Sequence, residues 1–390
     1  MDPLTDHRLR RYLNDRQGGM NRVIAERIRL LLDGLGTQNP YSLGYPMAKD
    51  FDHAFLASFL DLPLNNLGDP FVDGRYGLNT KAFEREVIEY FARYFRAPAD
   101  DFWGYVTAGG TESNLFGLAL ARELHPEAVV LYSAAAHYSV PKSCRLLRMT
   151  AREVAVQDHG EIDYADFTSQ LDGLRERGAI VVANVGTTMT EAKDDALRLR
   201  AALDHAGIAL RHIHADAAFC GPFLHHSGYQ GGFDFDHGVD SIAFSGHKFL
   251  GAPMPCGVVL TRKSLSERAH GEVPYIGGTD STLSGSRNAL AVLCLWFAVH
   301  QWGSEGIAHR YRDGEAKARF VQAALCDVGV SAWRNPHALT VVFGPVRPEI
   351  QNKWQLASDS RHAHLVAMPN TPMALLNEFV NDMQNFARSG

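Results

Sequence analysis

The sequence predicts an α/β fold: a large domain built on a mainly parallel sheet, with a small α+β domain after it. Three observations carry this expectation. Short apolar, β-rich runs (AVVLYS, AIVVANV, IHADAA, DSIAFS, CGVVLT) recur between about residues 51 and 265. Helical stretches such as SNLFGLALARELH and DALRLRAALDHAG separate them, and continuous apolar runs alternating with helices indicate parallel strands covered on both faces. Finally, 390 residues with 46% hydrophobic side chains suffice for one large core plus smaller units.

In chain order, residues 1–50 read as an N-terminal arm, in which VIAERIRLLLDGL has helical apolar spacing and GTQNPYSLGYP is irregular. Residues 51–300 form the large domain. A long helical stretch, ALAVLCLWFAVHQWG, begins after SGSRNA. Residues 301–390 then form the small C-terminal domain, with ALTVVFG and AHLVAMP as strands between helices.

Charge and cysteine usage exclude several function classes. The 38 basic and 44 acidic residues, net −6, are spread along the chain, so no block exists to hold a nucleic acid or an anionic membrane. Five scattered cysteines without a C-x-x-C pair suit a reducing cytosol. The charged start MDPLTDHRLRRYLNDR lacks an apolar signal core, and no segment reaches the roughly 18 apolar residues of a membrane span. A soluble, cytoplasmic protein is expected.

Four segments carry chemistry. In SGHKFLGAPMPCG, Lys248 directly follows the strand DSIAFS. Most lysines are solvated loop residues, but one at a strand's carboxyl end faces the crevice where open α/β sheets bind ligands. Desolvation there favours the neutral amine, a nucleophile toward an aldehyde. In HADAA, Asp216 ends another strand; alone it reads as a turn residue, whereas beside such a lysine it suits a pyridine nitrogen that must stay protonated. TAGGTESN opens a helix with Gly109 and Gly110: either an ordinary loop with Thr111 as N-cap, or a phosphate cradle at a helix N-terminus. His137, in SAAAHYSVPK, follows the strand AVVLYS and is either a buried structural histidine or a ring stacked on a cofactor.

The segments GYPMAKDFD, NNLGDPF, GYVTAGGTESNLFG, HYSVPKSCRLLRM, GEIDYADF, ANVGTT, IHADAA, SGHKFLGAPMPCG and STLSGSRN stand in the order found in the pyridoxal-phosphate-dependent group II amino-acid decarboxylases. The chain resembles their shorter branch, that of bacterial histidine decarboxylases and plant serine decarboxylases, over roughly residues 40 to 385. EAKDDALRLR stands where that family commonly has an acidic-Asn-Leu-Asp sequence.

The resemblance implies the aspartate aminotransferase fold (fold type I), pyridoxal 5'-phosphate as cofactor, and a homodimer with active sites at its interface. It implies that Lys248 binds the cofactor covalently, that His137 lies on the ring's outer face, that Asp216 partners the pyridinium and that Ala218 packs on the ring. Gly110, Thr111, Ser245 and His247 would surround the phosphate, joined by Ser284 or Ser286 of the neighbouring subunit, with Thr187 or Thr188 near the cofactor oxygen. Tyr45, Asn66 and Asp69 are candidate substrate contacts, and Tyr275 or His137 the donor of a proton to Cα after CO₂ leaves. The implied reaction is decarboxylation of an L-amino acid, histidine to histamine foremost, with serine or an unusual amino acid as the alternative.

Three other readings compete. The lysine–aspartate pair also serves aminotransferases and lyases of the same fold. A non-catalytic descendant would bind cofactor without turnover. His212/His214 and His225/His226 invite a metal, but no further ligands at suitable spacing accompany them.

Overall fold

The computed structural model describes residues 19–267, 271–273 and 278–388. The large domain holds a seven-stranded sheet: β1 (Trp103–Thr107), β2 (Val129–Ser133), β3 (Ala151–Val154), β4 (Ala179–Asn184), β5 (Arg211–Asp216), β6 (Ser241–Ser245) and β7 (Gly257–Thr261). Their spatial order is β1-β7-β6-β5-β4-β2-β3. The pairs from β6 through β3 are parallel, while β7 runs antiparallel to both β6 and β1. The reversal follows from chain length: only Gly246–Cys256 join β6 to β7, less than a parallel crossover needs. Residues of β1, β4, β6 and β7 are buried throughout, as the unbroken apolar runs require.

Helices cover both faces. α1 (Gly19–Gln38) precedes the sheet, followed by α2 (Lys81–Tyr94), α3 (Gly110–Leu124), α4 (Ser139–Leu146), α5 (Ala196–His205), α6 (Ala289–Asp327) and α7 (Met373–Arg388). α2 buries Val87, Ile88 and Phe91 at helical spacing. Asn288 caps α6, its Oδ1 accepting from the backbone of Leu290 and Ala291 at 3.0 and 3.2 Å. The long helix bends at Gly303, whose φ of 54° and ψ of −166° only glycine adopts readily.

Beyond that bend, α6 and α7 pack on an antiparallel four-stranded sheet: β8 (Ala332–Trp333), β9 (Thr340–Phe343), β10 (Ala357–Ser358) and β11 (Ala363–Val366), in the order β8-β9-β11-β10. Their core joins Val321, Leu325, Val341, Phe343, Leu365, Phe379 and Met383 with Leu43 from far upstream. No helix among the described residues is long and apolar enough to cross a membrane.

Candidate active site

The carboxyl ends of β4, β5 and β6 open into a cavity of about 1060 Å³, as open α/β sheets favour. β5 and β6 are neighbours, with Asp216 in register with Ala243. Two residues beyond that register the segments are cross-tied, Ser245 N–H donating to the Ala218 carbonyl at 3.0 Å. Lys248, Asp216, Ala218, Ser245 and His247 all line this cavity. Burial lowers the pKa of Lys248 and the nearby Asp216 carboxylate opposes the shift. The Lys248 carbonyl accepts from Ala48 N–H at 3.1 Å, so the segment after α1 lies over the lysine loop.

Asp216 is held by its own neighbours. Its Oδ1 accepts from Ala218 N–H at 3.2 Å and its Oδ2 from Asn114 Nδ2 at 2.7 Å. Asn114 sits one turn into α3, so the helix that opens at the glycine pair also grips the strand-end carboxylate. The same Nδ2 reaches Ser139 Oγ at 3.1 Å, and that hydroxyl lies 2.8 Å from His137 Nδ1. Burial lowers the His137 pKa, with Asp216 opposing. Asn114 and Ser139 were not singled out by sequence; an Asn four residues after Gly110 on a helix facing Asp216 was the available signal.

The start of α3 is shaped by glycine. Gly109, not Thr111, is the N-cap of α3, with φ 147° and no side-chain cap. Such a backbone leaves the helix start to be closed by something other than the chain's own side chain. A Cβ on Gly110 would stand 2.9 Å from Ser245 Oγ, so any side chain there would invade the space between them. Gly110, Thr111, Ser245 and His247 share this end of the cavity, and His247 Nδ1 pairs with the Cys256 carbonyl at 2.8 Å. Thr187 and Thr188 line the opposite wall, where Thr187 Oγ1 accepts from Ala192 N–H at 3.0 Å. A hidden amine, a strand-end carboxylate and an uncapped helix start converge on one space, which fits the aldehyde, ring nitrogen and phosphate of pyridoxal phosphate.

The small domain closes the far side through Thr340, Asp359, Arg361, His362 and His364, with Tyr45 at the rim. EAKDDALRLR supplies the clasp. Glu191, buried and at φ 54°, accepts from Leu339 N–H, Thr340 N–H and the Thr340 hydroxyl at 2.9, 2.8 and 2.7 Å. Asp194 of the same run accepts from Ile162 N–H and Asn184 N–H at 2.8 and 2.7 Å.

Several expected residues stand elsewhere. Asn66 and Asp69 are not among the residues that line this chain's cavity. Asn66 bonds Glu84 and Thr80 N–H, both at 2.8 Å, and Asp69 Oδ2 accepts from Trp103 Nε1 at 3.0 Å and from Ser281 at 2.8 Å. Ser284 donates to Glu112 at 3.1 Å, and Ser286 accepts from Asn65 at 3.0 Å, both outside this cavity. Tyr275 lies outside the described residues. His212 and His214 spend ring nitrogens on the one Ser241 hydroxyl, each at 2.8 Å.

Comparison with known proteins adds to this geometry. The pyridoxal-dependent decarboxylase conserved domain matches residues 80–329. The chain is 48% identical to a histidine decarboxylase of Mesorhizobium japonicum over 355 residues, covering 91% of this chain and 96% of the relative. It is 37% identical to serine decarboxylase 2 of Oryza sativa over 371 residues, 95% of this chain and 79% of that protein. Among solved structures, L-methionine decarboxylase from Streptomyces sp. 590 superposes with a TM-score of 0.85 at 24% identity, covering 95% of both chains, and so shares the fold.

Proposed function

Since the chain belongs to the pyridoxal-dependent decarboxylase family and is a pyridoxal-phosphate-dependent amino-acid decarboxylase, we propose that its substrate is L-histidine and its products histamine and CO₂. The observation that carries the cofactor chemistry is the convergence of Lys248 and Asp216, from adjacent strand ends, on one cavity, and the family match carries decarboxylation. The 48% identity to a histidine decarboxylase across nearly the whole chain supports histidine over serine, whose relative stands at 37%.

When bound, the cofactor supplies a carbonyl for the substrate amine and a ring that accepts the electrons of the broken Cα–carboxylate bond. Lys248 would hold that carbonyl covalently between turnovers, and its burial lowers the pKa of the amine. Asp216, fixed by Asn114 and the Ala218 backbone, would partner the ring nitrogen. His137 would face the ring, Ala218 would pack against it, and Gly110, Thr111, Ser245 and His247, which line the same cavity, would hold the phosphate. Thr187 or Thr188 would bond the ring oxygen, Tyr45 would border the substrate, and His137 or Tyr275 would return a proton to Cα.

A cytoplasmic homodimer accompanies this reading. Val23, Leu30, Leu31 and Leu35 leave α1 exposed, at 57–61% for all four, an apolar surface that a second copy would bury. Ser284 or Ser286 of the second copy would then complete the phosphate site.

The test is to incubate the purified protein with each of the twenty amino acids and record CO₂ and amines by mass spectrometry. Histamine as the main product is expected. An amine from another amino acid would move the substrate, and a keto acid without CO₂ would remove the reaction.

A further inference from the structure

Beneath the cavity floor lies a continuous line of buried polar side chains. It runs from His212 through Ser241, His214 and Asn114, where it forks to Asp216 and, through Ser139, to His137. His212, Ser241, His214, Asn114 and Ser139 are each at most 1% exposed, so each hydrogen must find an acceptor within the line.

The direction of every bond follows from its ends. The carboxylate of Asp216 only accepts, so the group 2.7 Å from it is the Asn114 NH₂, and the Asn114 carbonyl oxygen turns to His214. That oxygen also only accepts, so His214 Nε2, 3.0 Å away, carries a proton. Burial pushes the His214 pKa down to about 4, leaving it one ring proton at neutral pH. Its Nδ1 therefore accepts from the Ser241 hydroxyl, which accepts in turn from His212 Nε2. On the other arm, Asn114 gives its second N–H to Ser139 Oγ, whose single hydrogen is left for His137 Nδ1. Ser139 backbone N–H points at the same nitrogen from 3.3 Å, a second donor to one acceptor.

We propose that Asn114 is a positioning residue: one amide holds the Asp216 carboxylate and, through Ser139, fixes the last ring proton of His137 on Nε2. Two reaction groups on different elements are thereby set by a single side chain, with His137 able to donate from Nε2 and unable to accept there. Gly117 keeps the arrangement in place, since a Cβ at that position would overlap the His214 ring. This inference rests on the site reading above.

The test uses holoenzyme labelled with ¹⁵N-histidine. The His137 signals are identified by their loss in H137Q, and the two ring nitrogens are read directly. Wild type is expected to show a protonated Nε2 and a bare Nδ1. Asn114→Ala and Ser139→Ala are each expected to give a tautomer mixture and a kcat lowered about ten- to a hundredfold with KM within about twofold. Ser139→Thr, which keeps the hydroxyl, restores the wild-type pattern. Cofactor affinity separates the arms: weakened in N114A, which loosens Asp216, and unchanged in S139A. If N114A does not fold, S139A with its threonine rescue carries the test alone. A proton on His137 Nδ1 in wild type, or an unaltered nitrogen pattern in either alanine variant, overturns the proposal. A wild type with the expected pattern that releases no CO₂ from any amino acid supports the hydrogen-bond line and removes the assigned reaction instead.

Discussion

Glu191 and Thr340 are joined twice, the carboxylate Oε2 accepting from both the backbone N–H and the hydroxyl of Thr340, at 2.8 and 2.7 Å. One residue belongs to the loop after β4, the other opens β9, so this pair fastens the small domain to the wall of the active site. Around it, Lys193 Nζ reaches the Pro336 carbonyl at 3.3 Å and Asn335 donates to the His159 and Thr190 carbonyls, both at 2.9 Å.

Glu191→Ala removes the acceptor of four buried donors, the Cys220 thiol among them. A loss of about 2–3 kcal/mol in unfolding free energy is expected, read as a lower denaturant midpoint. Glu191→Gln keeps one acceptor oxygen and should fall between wild type and the alanine variant.

Lys248→Ala should abolish the visible absorbance of covalently held cofactor and reduce CO₂ release to below about a thousandth of wild type. A retained band in the gel-filtered variant would show that another amine holds the cofactor.

Asp216→Asn preserves size while removing charge, and leaves the Asn114 NH₂ facing an amide. A fall of about 10²–10³-fold in kcat is expected, with the fold intact by circular dichroism. Equal turnover in the two proteins would mean that the ring nitrogen has another partner.

The buried histidine pair makes stability depend on pH. Their folded pKa values, pushed down by burial to about 3 for His212 and about 4 for His214, lie below the usual 6.5. As pH falls below 6.5 the unfolded chain binds protons that the folded chain refuses, so stability is full above that value. It is lost progressively as pH descends toward about 4 and then 3. Each imidazole should cost on the order of 2 kcal/mol at about pH 5. Thermal melts between pH 7 and 5 check this, and His214→Gln, which can still bond Ser241 and Asn114, should flatten the slope.

Gly117→Ala should destabilise by about 1–3 kcal/mol, because the new methyl would overlap the fully buried His214 ring. Loss of cofactor affinity should accompany the lower melting temperature, since displacing His214 loosens Asn114 and with it Asp216.

How much of this was legible in the sequence depended on whether a residue's task is local. Lys248 follows an apolar strand and Asp216 ends one, and the strands' carboxyl ends bring both to the cavity; the glycine pair at the start of α3 lines the same space and is expected there to cradle an anion. Asn114, Ser139 and His214 are ordinary polar letters in helix, helix start and strand, and acquire meaning only where α3, α4 and β5 meet. Asn66 and Asp69 illustrate the converse: the distinctive segment NNLGDP also builds a buried polar network with Glu84 and Trp103, which its letters do not announce. Thr111 looked like a cap, but the chain enters α3 through Gly109 at a φ that leaves threonine inside the first turn. The antiparallel β7 was written in the brevity of its connection, which apolar patterning does not report.

The segment after α1 is stitched to parts of the chain made much later: Leu43 exchanges backbone bonds with Trp354 and Val366, His364 bonds the Gly44 carbonyl, and Ala48 bonds Lys248. During synthesis Ala48 has nowhere to dock until about two hundred later residues have been made, and Leu43 and Gly44 wait for more than three hundred. Sealing of the lysine pocket is therefore a late event of biogenesis, governed by contacts of very long sequence separation. A chain stalled before β11 would display its cofactor lysine with one side uncovered.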